Sequence, residues 1–155
     1  MVYVYPINPC PAPRQVGRDA WNPSPPVLRY RAFRDECTLR GVAIPLEFHH
    51  AIFVLQMPAT WSARKRAEHE GRRHQSKPDR DNLEKALLDA CCPSDAHIWN
   101  GQTTKLWGAR GLIIVSDRAL PIAEPLDLTP FYKAADERFA QVRGFEYPAS
   151  SPSPL

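Results

Sequence analysis

The stretch Lys77-Pro78-Asp79-Arg80-Asp81-Asn82-Leu83-Glu84-Lys85-Ala86-Leu87-Leu88-Asp89-Ala90 decides how this chain is read. Leu83, Ala86, Leu87 and Ala90 recur at helical spacing, and Pro93 lies just past them. With Asp81 as a good N-cap, the spacing predicts a helix over 81–90. Ahead of the helix the chain should be extended, because proline disfavours helix at its predecessor. Residues two apart in an extended chain share a side, so Asp79 and Asp81 should project together, roughly 7 Å apart. Two carboxylates at that separation suit hard divalent cations, which take oxygen ligands. A plainer reading stands beside this one. Asp81 caps a helix, Asp79 favours its positive end, and Lys85 makes an i,i+4 pair with Asp81.

Just upstream lie Arg64, Lys65, Arg66, Arg72, Arg73 and Lys77, offset there only by Glu68 and Glu70. A basic stretch feeding into paired carboxylates makes sense for a polyanionic ligand. Cations neutralise phosphates and release counterions, while carboxylates tolerate the same phosphates only through a metal. The alternative for the basic run is a solvated loop.

Around this segment the chain reads as one α+β domain. Its 155 residues are 43% hydrophobic and 24% charged, enough for a core without disulfides or a structural metal. The net charge of +3 decides nothing by itself. No apolar run approaches the roughly 18 residues a membrane span needs. Met1–Pro6 lacks the basic patch and apolar segment of a secretory signal, so a cytoplasmic location is expected. Cys10, Cys37, Cys91 and Cys92 then read as reduced thiols. Prolines crowd residues 6–26 and predict extended loop there, and 146–155 reads as a disordered Pro/Ser tail after a domain over 1–145. The predicted elements are a strand over 2–7, a helix over 28–40 and a strand over 46–57. After the basic segment and the 81–90 helix come strands over 97–107 and 112–115, joined by a turn at Gly108–Gly111. A closing helix over 130–142 stops at Gly144. That order suggests a single compact domain, a small mixed sheet with helices packed on it.

The remaining chemistry-bearing residues carry less. His49-His50 lies in an apolar strand, so the two rings point to opposite faces and cannot chelate one metal. Cys91-Cys92 lacks zinc-site spacing and reads as a structural thiol pair. Trp99 and Trp107 read as core or interface residues, not a base-stacking platform.

The segment Pro78–Ala90, with Asp79, Asp81-Asn82-Leu83, Lys85 and Asp89-Ala90, resembles the RusA family of Holliday-junction resolvases, small nucleases typical of phages and prophages. Ser94-Asp95-Ala96-His97-Ile98 is similar to the family's downstream acidic segment, and Lys105 falls where a later basic residue would be. Pro9, Pro11 and Pro13 after a first strand resemble the family's N-terminus. The resemblance covers roughly 1–116. It departs where family members often carry two aspartates, since Ser94 stands beside Asp95 here.

The resemblance implies a metal-dependent endonuclease acting on branched DNA as a homodimer. Asp79, Asp81 and Asp95 would hold Mg²⁺, with Mn²⁺ a substitute, and Lys85 would act on the scissile phosphate. Arg64, Lys65, Arg66, Arg72, Arg73, Lys77 and Lys105 would hold the DNA. The missing aspartate motivates an alternative, a catalytically inactive junction-binding protein on the same scaffold. A nuclease of flaps or forks and a zinc enzyme built on His49, His50, Cys91 and Cys92 stand further off. Distance sets one condition. A helix over 82–90 is about 13 Å long, and the steps from Ala90 to Asp95 return about 16 Å at most. A helix continued to Cys92 would place Asp95 out of reach, and the third acid would then come from a second subunit.

Overall fold

The computed structural model of the chain describes residues 1–14 and 16–137. Strands β1 (Val2–Tyr5), β2 (His49–Gln56), β3 (Gly101–Gly108) and β4 (Leu112–Ser116) form one mixed sheet in the order β1-β4-β2-β3. β4 runs antiparallel to β1 and β2, whereas β2 and β3 are parallel. The helices are α1 (Pro25–Leu39), α2 (Ala63–His69), α3 (Arg80–Cys91) and α4 (Thr129–Asp136). This is the α+β architecture the sequence predicts.

β2 is the spine, and its run His49–Leu55 is buried throughout. Ala51, Phe53 and Leu55 share one face with Tyr30 and Phe33 of α1 and Leu83 and Leu87 of α3. Ile52 and Val54 point to the other face, onto Leu128 and Phe131. Burial on both faces explains a near-continuous apolar run rather than an alternating one. The two histidines follow the same pleat. His49 faces α3 and bonds Glu84, while His50 faces away and bonds Thr104.

The differences from the predicted elements have physical reasons. α1 starts at Pro25, earlier than predicted, because proline is tolerated in a first turn whose N–H groups have no intrahelical partner. α2 forms in the basic segment, where no helix was predicted. Ser62 caps it, its Oγ accepting the Lys65 N–H at 3.2 Å. The Gly108–Gly111 turn carries the chain across the end of β2, so β3 and β4 flank β2 instead of pairing with each other. The last predicted helix ends at Asp136. The stretch 138–155, including the tail at 146–155, lies outside the described residues.

One connection matters for the site. Residues 71–74 run along the outer edge of β3 as a strap. The Gly71 N–H donates to the Trp107 carbonyl at 2.9 Å, the Trp107 N–H to Arg72 at 2.9 Å, and the His74 N–H to Lys105 at 3.1 Å. Gly71 has φ +73°, and a Cβ there would collide with the Leu126 carbonyl. Only glycine accepts that backbone without strain.

Candidate active site

α3 starts at Arg80, so the N-cap is Asp79 and not Asp81. Asp79 has extended backbone (φ −70°, ψ 145°), but its side chain makes no capping bond. Lys77 holds it instead, with Nζ 2.8 and 2.9 Å from the two carboxylate oxygens. Hydrogen bonding and charge from Lys77 push the Asp79 pKa below the usual carboxylate range. Asp81 already lies in the first helical turn, where its Oδ1 accepts the Asn82 N–H at 3.0 Å. The two acids therefore do not share one extended segment as the spacing predicts. Both are exposed at the positive end of α3, where the helix dipole favours anions.

Lys105 reaches this place from β3. Its Nζ donates to the carbonyls of Ser76 at 2.7 Å and Pro78 at 2.6 Å. One ammonium thus pins the two residues on either side of Lys77 to the sheet and fixes where Asp79 begins. Burial lowers the Lys105 pKa, with Asp79 opposing and Lys77 adding to the fall. The ammonium expected to grip DNA thus already has two acceptors within the protein. No local signal in the sequence names its acceptors.

Lys85 does not pair with Asp81. Its Nζ lies 3.5 Å from Asp89 Oδ2, an oxygen that also accepts the Tyr30 hydroxyl at 3.1 Å. Asp81 is engaged by the backbone next to it, while Asp89 is fixed from α1, so the lysine turns to the anchored acid. Glu84, one turn on from Asp81, is held by buried His49 at 3.0 Å. The His49 ring fills the space over Gly101, where a Cβ would overlap it. This pair joins residues 35 positions apart and leaves no trace in local sequence pattern.

Asp95 lies at the far end of α3, in a 3-10 turn over Asp95–His97. α3 continues to Cys91 with Cys92 as its cap. From Asp81 to Cys91 the helix advances about 15 Å. The four steps from Cys91 to Asp95 cover at most about 14 Å when fully extended. An extended return would thus just match the helix, but Asp95 lies in a 3-10 turn and does not make that return within one chain. Among the described residues no three His, Cys, Asp or Glu side chains come together as a metal cluster. A single chain brings two of the three predicted acids to one place.

The predicted basic residues divide by partner. Arg64 pairs with Glu68 along α2. Lys65 lies 4.2 Å over the Trp61 ring. The Arg66 Nε is buried with no partner among the described residues. Arg73 clamps Glu124, with Nε at 2.8 and 3.0 Å from its oxygens, and holds the Glu124 pKa at about 2. Its charge is therefore answered inside the protein, unlike that of exposed Arg72. Trp107 is half-buried against His74 at 3.8 Å and Trp61 at 4.8 Å between ring centroids. Burial, then the Lys105 charge, lowers the His74 pKa. Trp99 is 72% exposed and is not a core residue. Cys91 belongs to a thiol–thiol contact with Cys37 of α1, as a structural pair would, although its partner is not Cys92.

Among the described residues no helix is long and apolar enough to cross a membrane. No curated protein matches the chain. Residues 29–106, half of the chain, match the family described as endodeoxyribonuclease RusA. That span runs from α1 to Leu106 and takes in Asp79, Asp81, Lys85, Asp95 and Lys105. The chain belongs to the RusA endodeoxyribonuclease family.

Proposed function

We propose that this protein is a Mg²⁺-dependent nuclease that resolves four-way DNA junctions by paired, symmetric cuts, working as a homodimer in recombination and repair. Mn²⁺ is the expected substitute ion, and a bacterial or phage-infected cytoplasm the expected setting. One observation carries the reading. Two exposed carboxylates, Asp79 and Asp81, stand at the positive end of α3, where the Lys77 ammonium holds Asp79 and the Lys105 ammonium holds the loop before it.

The donor set fits a hard divalent ion in part. Asp79 and Asp81 would supply oxygen ligands from one chain, and Asp95 of a second copy would supply the third, since among the described residues no third acid joins the pair. When bound, the ion lowers the pKa of a water and neutralises charge on the scissile phosphate. The chain's own residues do the rest. Lys105 fixes the loop over 76–79, so Asp79 is presented in one position. Lys77 keeps Asp79 ionised and exchanges its partner for phosphate when DNA arrives. Lys85, exposed one turn along α3 from Asp81, meets charge building on the phosphate. Arg64, Lys65, Arg66, Arg72, Arg73 and Lys77 contribute to the field that holds the flanking backbone, and it depends on salt. A two-fold dimer presents two identical sites to a two-fold junction.

The test is a synthetic four-way junction with and without Mg²⁺. Asp81→Asn should bind it nearly as well as the parent and cut it at less than a hundredth of the parent rate. Cleavage by Asp81→Asn at the parent rate refutes the role given to Asp81. The separation of Asp95 from Asp79 within one chain, with Ser94 beside it, favours one rival, a binder without chemistry. That rival predicts a band shift and no nicks from the parent protein.

A further inference from the structure

Two open depressions of the surface next to Asp79 run together. One of about 530 Å³ includes Asp79 and Asn82 in its wall, and a second of about 350 Å³ includes Asn8, Gln56 and Trp107. They share Pro9, Leu55, Lys77 and Pro78, so they form one groove leading away from the acidic pair. Its walls are proline rings, a buried leucine and the edge of an indole. These surfaces are flat and apolar, and they suit a planar aromatic guest. Three carboxamides stand around it, those of Asn8, Gln56 and Asn82. Among the described residues none of the three side chains has a hydrogen-bond partner. Lys77 lies at the rim, its ammonium on the Asp79 carboxylate.

Apolar walls with free carboxamides are the chemistry that receives a base taken out of the stack. The planar faces take the ring, and amide groups pair with its edge. We propose that the groove holds one unstacked nucleobase of the bound DNA, the base next to the phosphate presented to Asp79, with Asn8 and Gln56 reading its edge. The proposal rests on the nuclease reading and names what that reading leaves open, the base the enzyme selects. Asn8 is packed against Gly111, where a Cβ would overlap it, so the close approach of its carboxamide depends on that glycine. Gln56 ends β2 and is exposed, so it can be replaced without disturbing the core.

The experiment uses the full chain and junctions carrying each of the four bases at the positions flanking the exchange point. The parent should favour one base by about tenfold or more, the discrimination of one good bidentate pair. Gln56→Ala should bring the four rates within about threefold while junction affinity stays within about twofold. Gln56→Glu should move the preference toward cytosine, whose amino group donates to a carboxylate. Equal rates from the parent, or an unchanged preference in both variants, overturn the proposal and leave the nuclease reading standing. A second arm needs no cleavage. A junction with 2-aminopurine at the same position should brighten on binding to the parent in metal-free buffer. It should not brighten with Ala12→Leu, which fills the groove, at matched occupancy. If the protein cuts no junction, the nuclease reading falls and this arm decides the groove alone. Signal retained with Ala12→Leu overturns it, and signal lost supports it.

Discussion

Lys105 gives its ammonium to two carbonyls of the loop that carries Asp79, and both acceptors come from residues of no apparent distinction. Lys105→Met should keep the stem and lose these bonds. Charge-assisted bonds of this kind contribute about 1.5–3 kcal/mol, so chemical denaturation should register a loss of that order. Cleavage should fall more steeply than junction binding, since Asp79 loses its fixed position. His50 sets a different residue-scale expectation. Its Nδ1 accepts the Leu120 N–H at 3.0 Å, so its Nε2 carries the proton toward Thr104. The ring is therefore neutral in the fold, and burial lowers its pKa. His74 shifts the same way. The unfolded chain then binds protons first, at about pH 6.5. This part of the stability is complete above that pH and drains away as the pH falls through the lower folded values. The melting temperature should decline between pH 7 and pH 5, and less steeply in His50→Gln.

At the scale of elements, α3 and β2 were legible because burial imposes a pattern on them. Leu83, Ala86 and Leu87 meet the core at helical spacing, and β2 is covered on both faces. α2 was not legible, since it buries no residue and stands on its Ser62 cap. The acids at 79 and 81 were legible as a pair, but the cap lies two residues earlier than the spacing predicts, at Asp79 rather than Asp81. Links between distant positions could not be read at all. Arg73 and Glu124 are 51 residues apart, and His49 and Glu84 are 35 apart. Pairings of that kind follow from topology, which no local window contains. The strap is an example. Gly71 supplies a left-handed backbone and a close approach to Leu126, neither of which alanine tolerates. Gly71→Ala should cost about 1–3 kcal/mol in urea unfolding. It should also weaken DNA binding and flatten its salt dependence, because α2 and the basic arm lose their anchor and neutralise fewer phosphates.

For the molecule as a whole, the position of Asp95 predicts a shared site. Asp81→Asn and Asp95→Asn should each be inactive alone. After mixing and subunit exchange, nicking should reappear, because one site of each mixed dimer then has Asp81 from one copy and Asp95 from the other. Cuts should come singly rather than in matched pairs. If Asp95 served its own chain, the mixture would stay inactive, so the kinetics of nicking decide between the arrangements. The lacing of residues 71–74 along β3 carries a last consequence. That strand also bears Lys105, so the basic arm proposed to meet the phosphates and the loop that carries Asp79 are bolted to the same rail. On the proposed function, any pull a bent duplex exerted on the arm would be delivered to the loop of Asp79 with no slack between them, and grip and cut would move as one rigid tool.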